Sequence, residues 1–182
     1  LHSAHRRQRQ MCIRDSPKGV LNVVTGYGDS TGEPLISHPD VRMVSFTGST
    51  NGGRAVARLA AQQVKPVIME LGGKSPQIVL PDADIDLAVN GIAGGIFPAG
   101  GQSCISGSRL LIHENIIEKF TEKLIKVISK AQVGPPNEPN TQIGPMANKP
   151  HYQRVLKLIA EAEDAGHNLL LDGRSKCCDR GY

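Results

Sequence analysis

Tryptophan is absent from the 182 residues, and aromatic residues make up only 3% of them. No apolar run approaches the roughly 20 residues that a membrane-spanning helix needs. The beginning of the chain contains no apolar segment of the kind a secretory leader uses. The cysteines, Cys12, Cys104, Cys177 and Cys178, fit neither zinc-ligand spacing nor a disulfide framework, and the last two are adjacent and poorly disposed to bridge. Together these absences exclude a membrane span and point to a reduced compartment, with the cytoplasm expected. Positive charge is also scarce outside one short stretch. The formal net charge is +4, but Arg6, Arg7, Arg9 and Arg14 against Asp15 supply +3 of it within residues 1–16. The rest of the chain is nearly neutral, which argues against a nucleic-acid footprint on a folded face.

What is present describes a globular α/β chain. Hydrophobic residues account for 39% and charged residues for 21%. Twenty glycines and twelve prolines imply many turns and close backbone approaches. Residues 1–16 have no helical or strand periodicity and join abruptly to PKGVLNVV, so they are set aside as a non-native or disordered tail. From Pro17 onward, strands and helices alternate. Strands are expected at Val20–Val24, Val41–Phe46, Val67–Leu71, Gln77–Leu80, Arg109–Ile112 and Leu169–Leu171. Helices are expected at Thr31–Ser37 (capped by Ser30 or Thr31), Arg54–Gln63, from Asp82 toward Phe97, at Glu114–Gln132, and at Tyr152–Ala165 closed by Gly166. Ile116, Phe120, Leu124, Val127 and Ala131 share one face of the fourth helix. Pro135, Pro136, Pro139 and Pro145 are expected to make a rigid, extended crossing. The alternation predicts a parallel-rich α/β architecture, and the sheet looks cut off at its end.

Two residues carry chemistry. Cys104 in AGGQSCISGSR is a soft nucleophile among glycines and serines that pack a core poorly, and a thiol at the start of a helix would have a lowered pKa. Glu70 in VIMELGGKSP is a carboxylate before a Gly-Gly turn. At a separation of 34 positions, only tertiary folding can make them meet, and the pair points to covalent chemistry on a carbonyl. Each also has a plainer reading: a small core residue for Cys104 and a solvated or structural carboxylate for Glu70. In FTGSTNGGR a strand runs into glycines and then a helix, whose first N–H groups can hold a phosphate. Gly48 would let that turn close, Ser49 would add a hydroxyl donor, and Gly53 would let the helix pack closely. His113, His151 and Lys74 read as structural or exposed. Asp82, Asp84 and Asp86 read as capping rather than as a metal string, since no EF-hand glycine and glutamate follow.

In their order and spacing, FTGSTNGGR, MELGGKSP and GGQSCISGSR resemble the NAD(P)-dependent aldehyde dehydrogenase superfamily, over Pro17 to Tyr182. The resemblance implies an aldehyde dehydrogenase-like α/β fold, truncated at both ends. Residues 17–69 would be the end of a Rossmann-type cofactor domain and 70–182 the first part of the catalytic domain. It also implies Cys104 as nucleophile, its backbone N–H as an oxyanion donor, Glu70 as the base for thioester hydrolysis, and Gly28, Gly48, Ser49 and Leu71 at the cofactor. NAD or NADP is implied, NAD favoured, with a small-molecule aldehyde as substrate, no nucleic-acid or membrane partner, and dimeric or tetrameric full-length relatives. A non-catalytic, nucleotide-binding or structural relative is the alternative. Ala99 departs from the Asn of many members, and Asn51-Gly52 from an acidic and β-branched pair. The family's upstream Asn, Lys and Glu and its downstream Glu lie outside these residues, so little or no turnover is expected of them alone.

Overall fold

Two parallel strand pairs form the framework, and the computed structural model describes residues 17–174. The chain divides between Leu71 and Gly72 into two compact units. Residues 1–16, with the tail reading placed on them and Cys12, and residues 175–182, with Cys177 and Cys178, lie outside the described residues.

In the first unit, a single wound turn at Gly28–Gly32 runs into α1 (Glu33–Ser37), followed by β1 (Val44–Gly48), α2 (Thr50–Ala61) and β2 (Val67–Leu71). β1 and β2 pair in parallel, with Val44 opposite Val67 and Gly48 opposite Leu71. The crossover α2 packs on both strands and buries Gly53, Val56 and Ala60, spaced by three and four residues on one face.

In the second unit, β3 (Pro76–Val79) and β4 (Arg109–Ile112) pair in parallel across α3 (Ile85–Ile96). α4 (Ile117–Ile128) packs against α3, and α5 (Lys149–Asp164) follows. Val79, Val89, Ile92 and Phe120 form the buried cluster, with Leu110, Ile112, Ile116 and Leu124 packed around it. Phe120 is fully enclosed, and truncating such a side chain costs about 3–5 kcal/mol. Asp84 caps α3 by accepting from the Leu87 N–H at 3.0 Å, and Asp86 pairs with Lys123 of α4. The acidic run therefore works in capping and in joining two helices. No described helix is long and apolar enough to cross a membrane.

Several expected elements change. Val20–Val24 is not a strand: its valines and leucine are exposed, and no described strand pairs with it, so its backbone has no ladder to join. Leu169–Leu171 is likewise exposed and unpaired in any described strand. Neither Ser30 nor Thr31 caps a helix through its side chain. α2 begins at Thr50 rather than Arg54, because Ser49 supplies the cap. α4 stops at Ile128, leaving Ala131 beyond it and Val127 exposed. There the chain turns to form a parallel bridge between Val133 and Ile143. The proline segment is therefore a folded-back loop rather than an extended crossing, with the Thr141 hydroxyl donating to the Pro135 carbonyl at 2.7 Å.

Two helices end in the same way on different residues. After α5, the Gly166 N–H donates to the Glu163 carbonyl and the His167 N–H to that of Ala162, with Gly166 at φ +81°. After α2, the Val64 N–H donates to Ala61 and the Lys65 N–H to Ala60, but the left-handed position is a valine at φ +53°. A β-branched residue is poorly suited to that conformation. It is held there because its neighbours dock on the end of α1. The Gln63 amide donates to the Ser37 carbonyl, and the Lys65 ammonium donates to Ile36 and His38, each at 2.6 Å. Val64 itself is 89% exposed and contributes little packing. Left-handed backbone costs a non-glycine residue roughly 1–2 kcal/mol, partly offset by the greater chain entropy of an unfolded glycine. Val64→Gly is therefore expected to raise the unfolding free energy by about 0.5–1 kcal/mol, measured by urea denaturation followed by circular dichroism. A loss of stability would contradict the strain argument.

Past α5, the Arg174 guanidinium bonds both oxygens of Glu163, at 2.8 and 3.1 Å, and also the Asp172 carboxylate. The side-chain bonds from Arg174, and then its backbone N–H, hold the Asp172 carboxyl below its ordinary value. The folded value lies below the unfolded one, so this contribution is present above about pH 4 and is lost as pH falls through the depressed value. The Arg174 side-chain resonances are expected to keep their bound positions down to the ordinary aspartate range and to move only below it. Movement near neutral pH would argue against the link.

Candidate active site and phosphate cradle

The parallel pairing of β1 and β2 sets the carboxyl ends of both strands side by side, the usual location for ligands in parallel α/β sheets. Glu70 stands opposite Thr47, and Leu71 opposite Gly48. Ser49 follows β1 directly and caps α2, its hydroxyl accepting from the Gly52 N–H at 3.1 Å. The Ser49 carbonyl accepts from the Gly53 N–H at 2.8 Å. The N–H groups of Thr50 and Asn51, in the first turn, precede any intrahelical acceptor. That turn contains no acidic residue, and Arg54 lies beside it, donating to the Asn51 side chain at 3.2 Å. Bare N–H groups, positive dipole and cation together fit an anion such as a phosphate.

The glycines here make room for specific neighbours. A Cβ on Gly48 would lie 2.6 Å from the Phe46 ring, and one on Gly52 2.9 Å from it. Gly48 does not have a left-handed φ, so the ring, not the turn, requires a glycine. Gly53 is buried, and a Cβ there would meet Leu71 Cδ2 at 2.7 Å, which accounts for the expected close packing of α2. Leu71 is thus a packing partner of the cradle as well as a candidate ligand contact. Gly28 is exposed at the start of the wound turn that leads into α1. The structure groups Gly48, Ser49, Glu70 and Leu71 at the two strand ends and leaves Gly28 on a separate segment. Glu70 is exposed.

In the second unit, Cys104 is exposed with its thiol free. Its exposure removes the core-residue reading. The thiol does not sit at the start of a helix: Cys104 lies in a turn in which the Ser106 N–H donates to the Ser103 carbonyl at 3.2 Å, and β4 follows. A Cβ on Gly73 would approach the Cys104 carbonyl to 3.4 Å, so the Gly-Gly segment after β2 runs close to the cysteine backbone. Three consecutive left-handed residues lead into the turn: Ala99, Gly100 and Gly101 at φ +53°, +63° and +72°. Ala99 tolerates this conformation less well than an asparagine would.

Polar side chains hold the loop, and sequence reasoning missed them. The Gln102 amide donates to the Ala99 carbonyl and accepts from the Ala147 N–H, both at 2.9 Å. Arg109 donates to the Lys74 carbonyl at 2.8 Å. Gln77 of β3 donates to the Gly107 carbonyl at 2.8 Å. A signal for Gln77 was present in PQIVL: Gln77 shares the inward face with buried Val79, while Ile78 points outward and is 68% exposed. A polar residue on the core side of an apolar strand needs a partner. Among the described residues no group of three or more His, Cys, Asp or Glu is placed to hold a metal ion.

Known proteins share this fold. The aldehyde dehydrogenase family matches residues 10–182, starting inside the segment set aside for its lack of periodicity. Hydroxyisobutyraldehyde dehydrogenase of Mycolicibacterium austroafricanum is 46% identical over 87% of this chain and 31% of its own. Betaine aldehyde dehydrogenase of Amaranthus hypochondriacus, a chloroplastic protein, is 44% identical over 91% and 33%. Among solved structures, the NAD-dependent aldehyde dehydrogenase from Sinorhizobium meliloti superposes with a TM-score of 0.88 at 42% identity, over 94% of this chain and 35% of that one. The NAD+ complex of aldehyde dehydrogenase from Bacillus cereus gives 0.88 at 37%, over 92% and 34%. The chain spans about a third of the length of the relatives it matches. With the family match over nearly all of its residues and both parallel βαβ units in place, the chain belongs to the aldehyde dehydrogenase family.

Proposed function

We propose that this chain carries the cysteine and base of an NAD(P)-dependent oxidation of an aldehyde to a carboxylic acid. The observation that carries the reading is the exposed Cys104 thiol on a loop fixed by Gln77, Gln102 and Arg109. In this reading the Cys104 thiolate attacks the aldehyde carbon, and the oxygen takes the electron pair as a thiohemiacetal alkoxide beside the Cys104 backbone N–H. NAD(P), when bound, would supply the hydride acceptor, and loss of hydride from the thiohemiacetal carbon would leave a thioester on Cys104. Glu70 takes a proton from water, whose oxygen attacks the thioester. The carboxylate product leaves, and the thiolate returns. The first turn of α2, with Ser49 at its cap and Gly48 and Leu71 at the strand ends, would hold the pyrophosphate, with Gly28 lining the cofactor site. NAD is favoured over NADP, in keeping with the NAD+ bound by the Bacillus cereus relative.

We assign the reaction to the cytoplasm on the free thiol, although some relatives are chloroplastic or peroxisomal proteins. The 182 residues alone are proposed to turn over slowly or not at all, since further groups of the family's site lie outside them. A non-catalytic relative would have little use for an exposed thiol on a fixed loop.

Labelling tests the nucleophile without requiring turnover. Limiting iodoacetamide is expected to modify Cys104 at least about tenfold faster than Cys177 or Cys178, because a nucleophile positioned for catalysis outreacts an ordinary thiol. Equal rates would favour the non-catalytic relative. In a full-length protein carrying these residues, Glu70→Gln is expected to leave thioester formation nearly intact and to slow hydrolysis by about 10²–10⁴-fold, read as acyl-enzyme accumulation by mass spectrometry. Unchanged hydrolysis would remove Glu70 from the mechanism.

A further inference from the structure

Gly107, three residues after Cys104, is gripped at both ends of its backbone. Its N–H donates to the Gly95 carbonyl in the last turn of α3 at 2.9 Å. Its carbonyl accepts from the Gln77 amide of β3 at 2.8 Å. The Gln77 amide also lies 3.5 Å from the Ile92 carbonyl of α3. Both glycines are cut to fit this side chain: a Cβ on Gly107 would lie 2.3 Å from the Gln77 amide carbon, and one on Gly95 2.5 Å from its oxygen. Ser106, between the thiol and the grip, is buried. The side chain that fixes the cysteine loop thus belongs to a strand rather than to the loop, and it rises from the face that carries the core residue Val79.

We propose that Gln77 is a positioning residue for Cys104, locking the loop against α3 so that the thiol is presented in one orientation. This rests on the assignment of Cys104 as nucleophile. The logic is preorganisation: a nucleophile on a loop meets its substrate in one geometry only while a supporting shell holds that loop in place. Glycine gives the loop its close approach and no stiffness of its own. The stiffness has to come from a neighbouring element, and among the side chains holding this loop Gln77 is the one that rises from the core-facing side of a strand.

Four forms of the 182-residue protein test this: wild type, Gln77→Met, which keeps length and loses the donor, Gly107→Ala, whose methyl displaces the amide, and the double variant. Two readouts apply, amide exchange across residues 103–108 and the pH profile of Cys104 alkylation by iodoacetamide, followed peptide by peptide. Gln77→Met is expected to speed exchange in the loop about tenfold, the loss of one part-buried hydrogen bond, with Val89 and Ile92 unchanged. Cys104 alkylation should fall to the rate and pH profile of Cys177 and Cys178. Gly107→Ala should do the same, and the double variant no more, since both remove one contact. A role confined to stability would lower the melting temperature and leave the Cys104 profile intact, which overturns the proposal, as do wild-type exchange and alkylation in Gln77→Met. Should Gln77→Met lose protection throughout α3 and α4, Gly107→Ala decides by the same criteria. A wild-type Cys104 no faster than Cys177 and Cys178 is a different failure: it removes the nucleophile assignment itself, and the proposal with it.

Discussion

Parallel strand pairing imposes a direction on everything else in this chain. A parallel partner cannot be reached by a tight hairpin, so each pair needs a crossover, and both crossovers here are helices. In the first unit the crossover begins where β1 ends, which sets a bare helix start beside the carboxyl end of β2. Gly48, Ser49, Glu70 and Leu71 are neighbours for that reason alone. An antiparallel pairing would send the two strands' final residues to opposite ends of the sheet. The same rule in the second unit carries the chain from β3 through α3 and then through the cysteine loop into β4. The cysteine loop is the return leg of a crossover, so the strand on one side and the helix on the other are both available to hold it.

Glycine does three different things in these units, and only one depends on backbone freedom. At Gly100, Gly101 and Gly166 the backbone is left-handed. At Gly48, Gly52 and Gly53 the space is taken by Phe46 or Leu71. At Gly95 and Gly107 it is taken by Gln77. The last two groups are packing devices: a neighbouring side chain fills the volume that a Cβ would occupy. Val64 shows the converse, a left-handed position left without its glycine, tolerated because Gln63 and Lys65 are tied down on either side.

The elements legible in the sequence were those whose signals are local. The strands at Val67–Leu71 and Arg109–Ile112 and the helices after Asp84 and before Gly166 follow from apolar runs, caps and closing glycines, and all four formed. Val20–Val24 and Leu169–Leu171 carry the same apolar signal and failed, because a strand exists only with a partner, and no pattern within five residues states whether one is present. The end of α4 was misjudged for a related reason: the bridge between Val133 and Ile143 depends on residues ten positions apart.

The candidate site divides along the same line. By itself the sequence determined the chemical groups: a thiol and a carboxylate in glycine-rich settings, a serine-capped helix start after a strand, and the order of three motifs that identifies the family. Those properties are written in residue identity and short spacing. Folding alone decided that Cys104 would lie open in a turn rather than at a helix start, that Leu71 would fill the space beside Gly53, and that Gln77 would reach Gly107 across thirty residues of chain. Identity supplies reactivity, but orientation is a property of contacts, and contacts between remote residues exist only once the chain has closed on itself.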